Sequence, residues 1–419
     1  MEFAHNFRRG LISVKHRKSI WLRAGMVIGT LGVLAATIQL PAAYADTNSA
    51  AAYQVPVPPS VKAGSVVLMN AASGQILYSK DEDERRAPAS TTKLMTLYLL
   101  EKALHNHQVS LQDNVPVTPD AYKVATEADV SDAYLDPREH FTVQDMLKFI
   151  AVISANDATV AIADKLAGDQ QAFVDEMNAE AKTLGLTNTH YENADGLPVS
   201  NHYMSARDLA TLARDLVDTY PDILQYTSLP NVTVRKGDTW PSTDDLVGHY
   251  PGLDGLKTGY TSDAGYCYVG TAKQNGVRLI VVVMADTKND IHQRFRDAQA
   301  LLDYGFHDFT QQTVATKGTV LNQTVSVKNG SRSNLQVTPA QDLVVDLPAG
   351  VKGNIQVDAS TQVPPIKKGQ TVGTLNYVVN GQTVTSVPLA AAEDDNKAGF
   401  ITRIIRGIGH FFGSLIHRL

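Results

Sequence analysis

One cysteine, Cys267, serves the whole 419-residue chain, so no intramolecular disulfide can staple it. Any folded part must stand on hydrophobic burial. Set in the apolar run "YCYVG", that cysteine reads as a strand residue of the core. Basic excess is also lacking: the formal charge is −6, which leaves nothing to grip nucleic-acid phosphates and argues against a nucleic-acid partner. HExxH and other spaced His and carboxylate sets are missing, which disfavours a zinc peptidase; no metal and no cofactor are expected. Between residues 160 and 250 there is no Glu-x-x-Leu-Asn stretch of the kind that activates water in class A β-lactamases.

What is present is an ordinary globular composition, 43% hydrophobic and 19% charged, in a chain long enough for two domains. The first 45 residues differ: Arg8, Arg9, Lys15, Arg17, Lys18 and Arg23 precede an apolar run from Ala24 to Leu40, and Ala43 and Ala45 frame an Ala-Tyr-Ala site. This reads as a secretory signal over 1–45 cleaved after Ala45, with an uncleaved anchor as the alternative. Removing its six basic residues and Glu2 takes the formal charge from −6 to −11. A small-residue and proline linker follows, over 46–60.

From about Ser65 the pattern predicts a hairpin around "NAASG", then helices beginning near Thr91, in "VQDMLKFIAVISANDATVAIADKLAG", in "QAFVDEMNAEAKTLGL" and in "MSARDLATLARDLVDTY", the last capped by Ser205. "RLIVVVMAD" reads as a buried strand and "RFRDAQALLDYGF" as a closing helix, giving a mixed α/β domain over 61–311. Residues 312–392 show short alternating segments punctuated by Gly, Pro and Asn-Gly, a small all-β domain. In the final segment, 393–419, Phe400, Ile401, Ile404, Ile405, Ile408, Phe411, Phe412, Leu415, Ile416 and Leu419 recur at steps of three and four opposite Arg403, Arg406, His410, His417 and Arg418. That predicts an amphipathic helix suited to the membrane surface, with docking on its own domain as the plainer alternative.

Three short motifs carry chemistry. "RRAPASTTKLMT" sets Ser90 three residues before Lys93, where one helical turn brings a hydroxyl within reach of a base. Lysine serves as a base only if burial or a second cation lowers its pKa. "ISANDA" places Ser154 and Asn156 at a break between helical runs, and "GLKTGYT" supplies Lys257, Thr258 and Gly259 at the start of the apolar run Tyr266 to Val269. Each motif alone is weak; their order gives them weight.

With "SANDA", "DGLKTGYTSDAGYC" and "RFRDAQALLDYGF" beside the first motif, the chain resembles the serine-type D-Ala-D-Ala carboxypeptidases, the low-molecular-weight penicillin-binding proteins of peptidase family S11, from about residue 60 to 309. The resemblance implies an α/β (α+β) serine β-lactamase or penicillin-binding-protein-like transpeptidase fold, followed by a β-sandwich domain and a membrane anchor. It implies that Ser90 attacks the peptidoglycan pentapeptide at D-Ala-D-Ala with Lys93 as general base, and that Ser154 relays a proton to the leaving amine. Asn156 would bind the substrate peptide and help hold Lys93, while Lys257 would keep Lys93 neutral. Thr258 would bind the terminal carboxylate, and Gly259 would let the backbone approach substrate, unless it is only a turn residue. The N–H groups of Ser90 and Tyr260 would form the oxyanion hole. Arg294 would lie near the substrate carboxylate, with Arg296 as the competing candidate, and Ser90 would also cap its helix. β-Lactams are the implied covalent inhibitors, and the outer face of the bacterial cytoplasmic membrane the implied location. A D,D-endopeptidase or transpeptidase, or a non-catalytic wall scaffold, is the alternative. The chain departs from the pattern in "ATEADVSDAYLDPREHFT", acidic and without glycine where relatives are Gly-rich, and at Asp245, where asparagine is frequent. His249 beside it reads as a loop histidine.

Overall fold

The computed structural model describes residues 56–287 and 289–399. The predicted signal segment, most of the linker, and residues 400–419 of the amphipathic helix lie outside the described residues. The first part of the predicted terminal helix, residues 393–399, is not helical: Asp395 bridges to Ile366 and Lys397 to Gly330 in extended pairs. Among the described residues no helix is long and apolar enough to cross a membrane.

Five antiparallel strands form the sheet of the first domain: β1 (Ser65–Asn70), β2 (Ile76–Lys80), β3 (Leu253–Thr261), β4 (Gly265–Gln274) and β5 (Val277–Asp286), in the order β2-β1-β5-β4-β3. The hairpin expected at "NAASG" is there, its turn held by Asn70 Oδ1, which accepts from Ala72 N at 2.8 Å and Ser73 N at 3.1 Å. All six residues of β1 are buried because both faces of the sheet are covered. Strand alternation sends Val66 and Leu68 to one face, with Phe295, Ala298, Leu301 and Leu302, and Val67 and Met69 to the other, with the helical body.

The helices are α1 (Lys93–His105), α2 (Pro119–Ala125), α3 (Val143–Val152), α4 (Asn156–Ala167), α5 (Gln170–Thr183), α6 (Ala206–Thr219), the single turn α7 (Leu224–Thr227) and α8 (Gln293–Asp308). Ten of the thirteen residues of α1 are buried, so it is the central helix of the body, apolar nearly all round. Ser205 caps α6 as expected, accepting from Asp208 N at 3.1 Å, a contact worth about 1 kcal/mol. Thr142 and Asp145 form a capping box on α3. α2 and a hairpin, Asn231–Arg235 with Asp238–Pro241, were not legible in the sequence pattern, being short and half exposed.

The second domain is all-β. Strands β7 (Thr324–Ser326), β8 (Asn334–Pro339), β10 (Asn354–Asp358), β11 (Thr371–Val379) and β12 (Gln382–Ala391) form a sheet in the order β7-β8-β12-β11-β10, and β6 (Phe309–Ala315) pairs with β9 (Leu343–Pro348). Its core is Val, Leu, Ile and Ala with one tyrosine. The junction with the first domain is specific: Asn70 Nδ2 donates to Asp346 Oδ1 at 2.9 Å, while Gln75 and the Asp346 backbone exchange hydrogen bonds at 2.8 and 2.9 Å.

Candidate active site

Ser90 sits in a 3-10 turn, Ala89–Thr92, that runs into α1. It does not cap the helix: the turn begins after Pro88, and neither terminus carries a side-chain cap. Ala89 holds φ = 50°, a strained value for a residue with a Cβ. Two glycines clasp this turn. A Cβ on Gly196 would meet Ala89 O at 1.9 Å, and one on Gly259 would lie 3.1 Å from Pro88 O, Ser90 N and Thr91 N. Gly259 therefore lets β3 close on the backbone that carries Ser90, and it also lines the cleft.

Lys93 is fully buried, and its Nζ lies 2.9 Å from Ser90 Oγ, 2.5 Å from Asn156 Oδ1 and 2.8 Å from Asp195 O. A neutral amine has two hydrogens and one lone pair. The two pure acceptors, Asn156 Oδ1 and Asp195 O, take the hydrogens, which leaves the lone pair for the Ser90 hydroxyl. Burial pulls Lys93 down to about 8, against the opposing pull of Asp195, Asp132 and Asp157. Of the two causes the sequence left open, burial or a second cation, burial thus comes first. Lys257, 1% exposed, is itself held well below the ordinary lysine range, first by burial, then by the charges of Lys93 and Arg294; its Nζ donates to Thr258 O at 3.1 Å.

Ser154 and Asn156 come from the break between α3 and α4, Ser154 in the left-handed region at φ = 62°. Both line the cleft with Ser90, and Asn156 reaches Lys93, but Ser154 makes no hydrogen bond to Ser90 or Lys93. Thr258 Oγ1 is 2.7 Å from Thr243 Oγ1. Tyr260 is half exposed at the rim and stacks on its cross-strand partner Tyr266, ring centroids 4.4 Å apart. Arg294, in the first turn of α8, is buried against the rings of Tyr266 and Phe295; its Nη1 donates to Gly259 O at 3.1 Å and its Nε has no partner. Arg296, the competitor, pairs instead with Asp290 on the surface. The strand carrying Lys257, Thr258 and Gly259 is β3, separate from the apolar run on β4 that was expected to continue it.

Ser90, Ser154, Asn156, Thr243, Thr258, Gly259, Tyr260 and Arg294 line one cleft of about 600 Å3, which Asp129, Val130, Ser131, Leu197 and Pro198 also border. Asp245 stands at its rim, 2.8 Å from His292 Nδ1, and His249 is an exposed loop residue. Cys267 is wholly buried on β4, as expected, and burial pushes its thiol up to about 11. Among the described residues no group of three His, Cys, Asp or Glu is arranged to hold a metal. The sequence reading missed Asp157, whose carboxylate accepts from Ala133 N at 3.0 Å and Leu135 N at 2.9 Å, although it lies inside the quoted "SANDA". It also missed Thr243 and the Asp195 carbonyl. A backbone acceptor leaves no side-chain signal.

A model of the D-alanyl-D-alanine carboxypeptidase family, peptidase S11, matches residues 51–288, and one of the penicillin-binding protein 5 C-terminal domain matches 309–397. D-alanyl-D-alanine carboxypeptidase DacF of Bacillus subtilis is 37% identical over 363 residues, 83% of this chain and 90% of its own length. Penicillin binding protein 5 from Haemophilus influenzae superposes with a TM-score of 0.74 at 30% identity, over 81% of this chain and 99% of that one. Penicillin-binding protein D2 from Listeria monocytogenes, solved in an ampicillin-bound form, covers 60% of this chain and 99% of its own, with a TM-score of 0.54 and 33% identity. With both domains matched, the chain belongs to the D-alanyl-D-alanine carboxypeptidase family, the S11 peptidases, and carries the family's penicillin-binding-protein-like fold.

Proposed function

We propose that the protein is a serine D-Ala-D-Ala carboxypeptidase that removes the terminal D-alanine from peptidoglycan pentapeptides and so limits cross-linking. The observation that carries this is the environment of Lys93: a buried amine with two fixed acceptors and its remaining valence at Ser90 Oγ, 2.9 Å away. Lys93 takes the Ser90 proton as Oγ attacks the carbonyl of the penultimate D-Ala. The tetrahedral oxyanion is met by the Ser90 and Tyr260 N–H groups, each worth on the order of a hundredfold or more in rate. Ser154, in the same cleft, passes a proton to the departing amine, the C–N bond breaks, and D-Ala leaves. Water then hydrolyses the Ser90 ester. Thr258 and Arg294, which line the cleft, and the buried Lys257 beside Thr258 supply the hydrogen-bonding and positive end for the terminal carboxylate, Arg294 with an unpartnered buried Nε. Asn156 holds Lys93 and borders the peptide path.

A β-lactam carries the same acyl chemistry in a ring, so the leaving amine stays tethered and Ser90 remains acylated. The residues 1–45 are read as a signal peptide, 46–60 as a linker, 61–311 as the catalytic domain, 312–392 as the β domain and 400–419 as a cationic amphipathic surface anchor, which together put the cleft on the outer face of the cytoplasmic membrane. Deleting residues 396–419 is expected to release the protein from membranes with activity on soluble peptide intact. The test of the activity is intact mass after brief exposure to benzylpenicillin, followed by incubation with a peptide ending in D-Ala-D-Ala. A lasting adduct absent from Ser90→Ala and loss of one alanine from the peptide are expected. An adduct without alanine release would favour a transpeptidase or endopeptidase, and neither event would favour a scaffold.

A further inference from the structure

The loop over 129–142 departs from the family pattern in being acidic, and it is locked to the cleft by two carboxylates that brace each other's backbone. Asp132 Oδ1 accepts from Asp157 N at 3.2 Å; Asp157 Oδ1 accepts from Ala133 N at 3.0 Å, and its Oδ2 from Leu135 N at 2.9 Å. Between them, Ser131 O accepts from Asn156 N at 2.7 Å. Asn156 is the residue whose side chain holds Lys93. Asp132 is therefore one backbone hydrogen bond from the ligand of the base, at the N-terminus of α4, where the helix dipole favours negative charge. It is 2% exposed, yet its Oδ2 has no hydrogen-bond partner. A buried carboxylate oxygen without a partner is costly to retain for bracing alone, since a serine or asparagine could accept the same N–H.

We propose that Asp132 is a positioning residue for the reaction: its carboxylate, braced beside Asn156, holds the proton on Lys93 and sets the pH at which acylation begins. This rests on Lys93 as the base. The groups facing the pair come from every side. Burial first holds Asp132 up at about 7; Asp157 on α4 and Glu127, just ahead of the loop, push protons onto it in the same sense, while the Asp157 N–H and Lys93 on α1 pull them off. Asp195 and Asp157 act on Lys93 in the same sense as Asp132, and the buried Lys257 on β3 repels it. Arg235, from the neighbouring hairpin, donates to Ala133 O at 2.9 Å and Tyr134 O at 2.6 Å and pairs with Glu139, fixing the loop from outside. With Asp132 ionised, Lys93 keeps its proton to higher pH. With that charge removed, a larger fraction of Lys93 is free amine at neutral and mildly alkaline pH, where Asp132 would otherwise be ionised.

The experiment is the second-order rate of acylation by benzylpenicillin from pH 5.5 to 9.5, read by intact mass on the full chain. It compares wild type, Asp132→Asn, Asp132→Ser and Lys93→Ala, with thermal unfolding of each. The acidic limb is expected to move down by about half a unit to one unit in both Asp132 variants, so that acylation at pH 7.5 is about twofold to threefold faster than wild type, with little difference at pH 6, where Asp132 is itself mostly protonated. The alkaline plateau of Asp132→Asn, which keeps the acceptor for Asp157 N–H, should stay within about twofold. A limb that stays in place in both folded variants, with or without a lower plateau, overturns the proposal and leaves Asp132 a structural brace. If Lys93→Ala acylates like wild type, the base assignment itself has failed; if it is inactive and the limb is unmoved, only the role of Asp132 has.

Discussion

The two domains bury different things. Around the cleft the α/β domain encloses Lys93, Lys257, Arg294, Asp132, Asp157 and Asp244, each less than a tenth exposed. The β domain, among its described residues, buries Asp346 and Asp395 and otherwise fills its core with aliphatic side chains such as Leu335, Val337, Leu343 and Leu375. Buried charge costs stability unless each group finds partners, and even paired it seldom improves on an apolar core. Among the described residues the α/β domain gathers its buried cations, Lys93, Lys257 and Arg294, at the cleft, beside further buried carboxylates elsewhere such as Asp208, Asp286 and Asp297. The β domain spends its interior on packing, with one buried carboxylate at the junction. Function and stability are thus carried by separate interiors, and substitutions should separate them.

The sharpest separation is at Ser90. Ser90→Ala should abolish the penicillin adduct and lower D-alanine release by about a thousandfold or more, with an unchanged unfolding midpoint, as measured by intact mass and calorimetry. Leu335→Ala should do the reverse: a fully buried leucine in the β core is lost at about 2–5 kcal/mol of stability, seen in denaturant unfolding, while the acylation rate of the still-folded protein stays the same. A loss of acylation there would break the comparison by showing that the β domain shapes the cleft. Gly259→Ala falls between them. Its new Cβ, 3.1 Å from three backbone atoms of the Ser90 turn, should push the turn aside and slow acylation about tenfold to a hundredfold with a smaller loss of stability.

The smallest effect concerns Asp346, which burial holds up at about 6. The folded protein then keeps a proton that the unfolded chain has released, so stability declines as pH rises from the ordinary carboxylate range through about 6. Asp346→Asn should remove that decline, worth about 1–2 kcal/mol, from thermal unfolding between pH 4 and 6.5.

Much of the α/β domain was legible because its chemistry needs several short motifs, each common alone, in one fixed order along the chain. Ser90, Lys93, Asn156 and Lys257 announce themselves in this way, and the structure brings Ser90, Lys93 and Asn156 within hydrogen-bond reach. Legibility ended where the work is done by backbone or by packing. The Asp195 carbonyl is an acceptor that any residue could supply, and the need for glycine at 259 comes from a turn some 170 residues away. Lys93 is depressed chiefly by being enclosed, a property of the fold that no neighbour in sequence records. In the β domain, period-two alternation marked strands such as Leu343–Pro348, but β8 and β6 passed unnoticed, since Asn334–Pro339 ends in proline and Phe309–Ala315 carries mostly polar residues.

The pairing of β1 with β5 has a kinetic consequence. Ser65 to Asn70 lie in register with Met284 to Leu279, so one interior strand of the sheet is made first and must wait for another synthesised more than two hundred residues later. Closing so long a loop is entropically slow, and topologies of this kind have high contact order. The groups of the cleft are spread along the same span, from Ser90 to Arg294. An incomplete chain, emerging in order, therefore has neither the completed sheet nor the reactive constellation, and reactivity toward acyl groups waits until the ends of the domain meet.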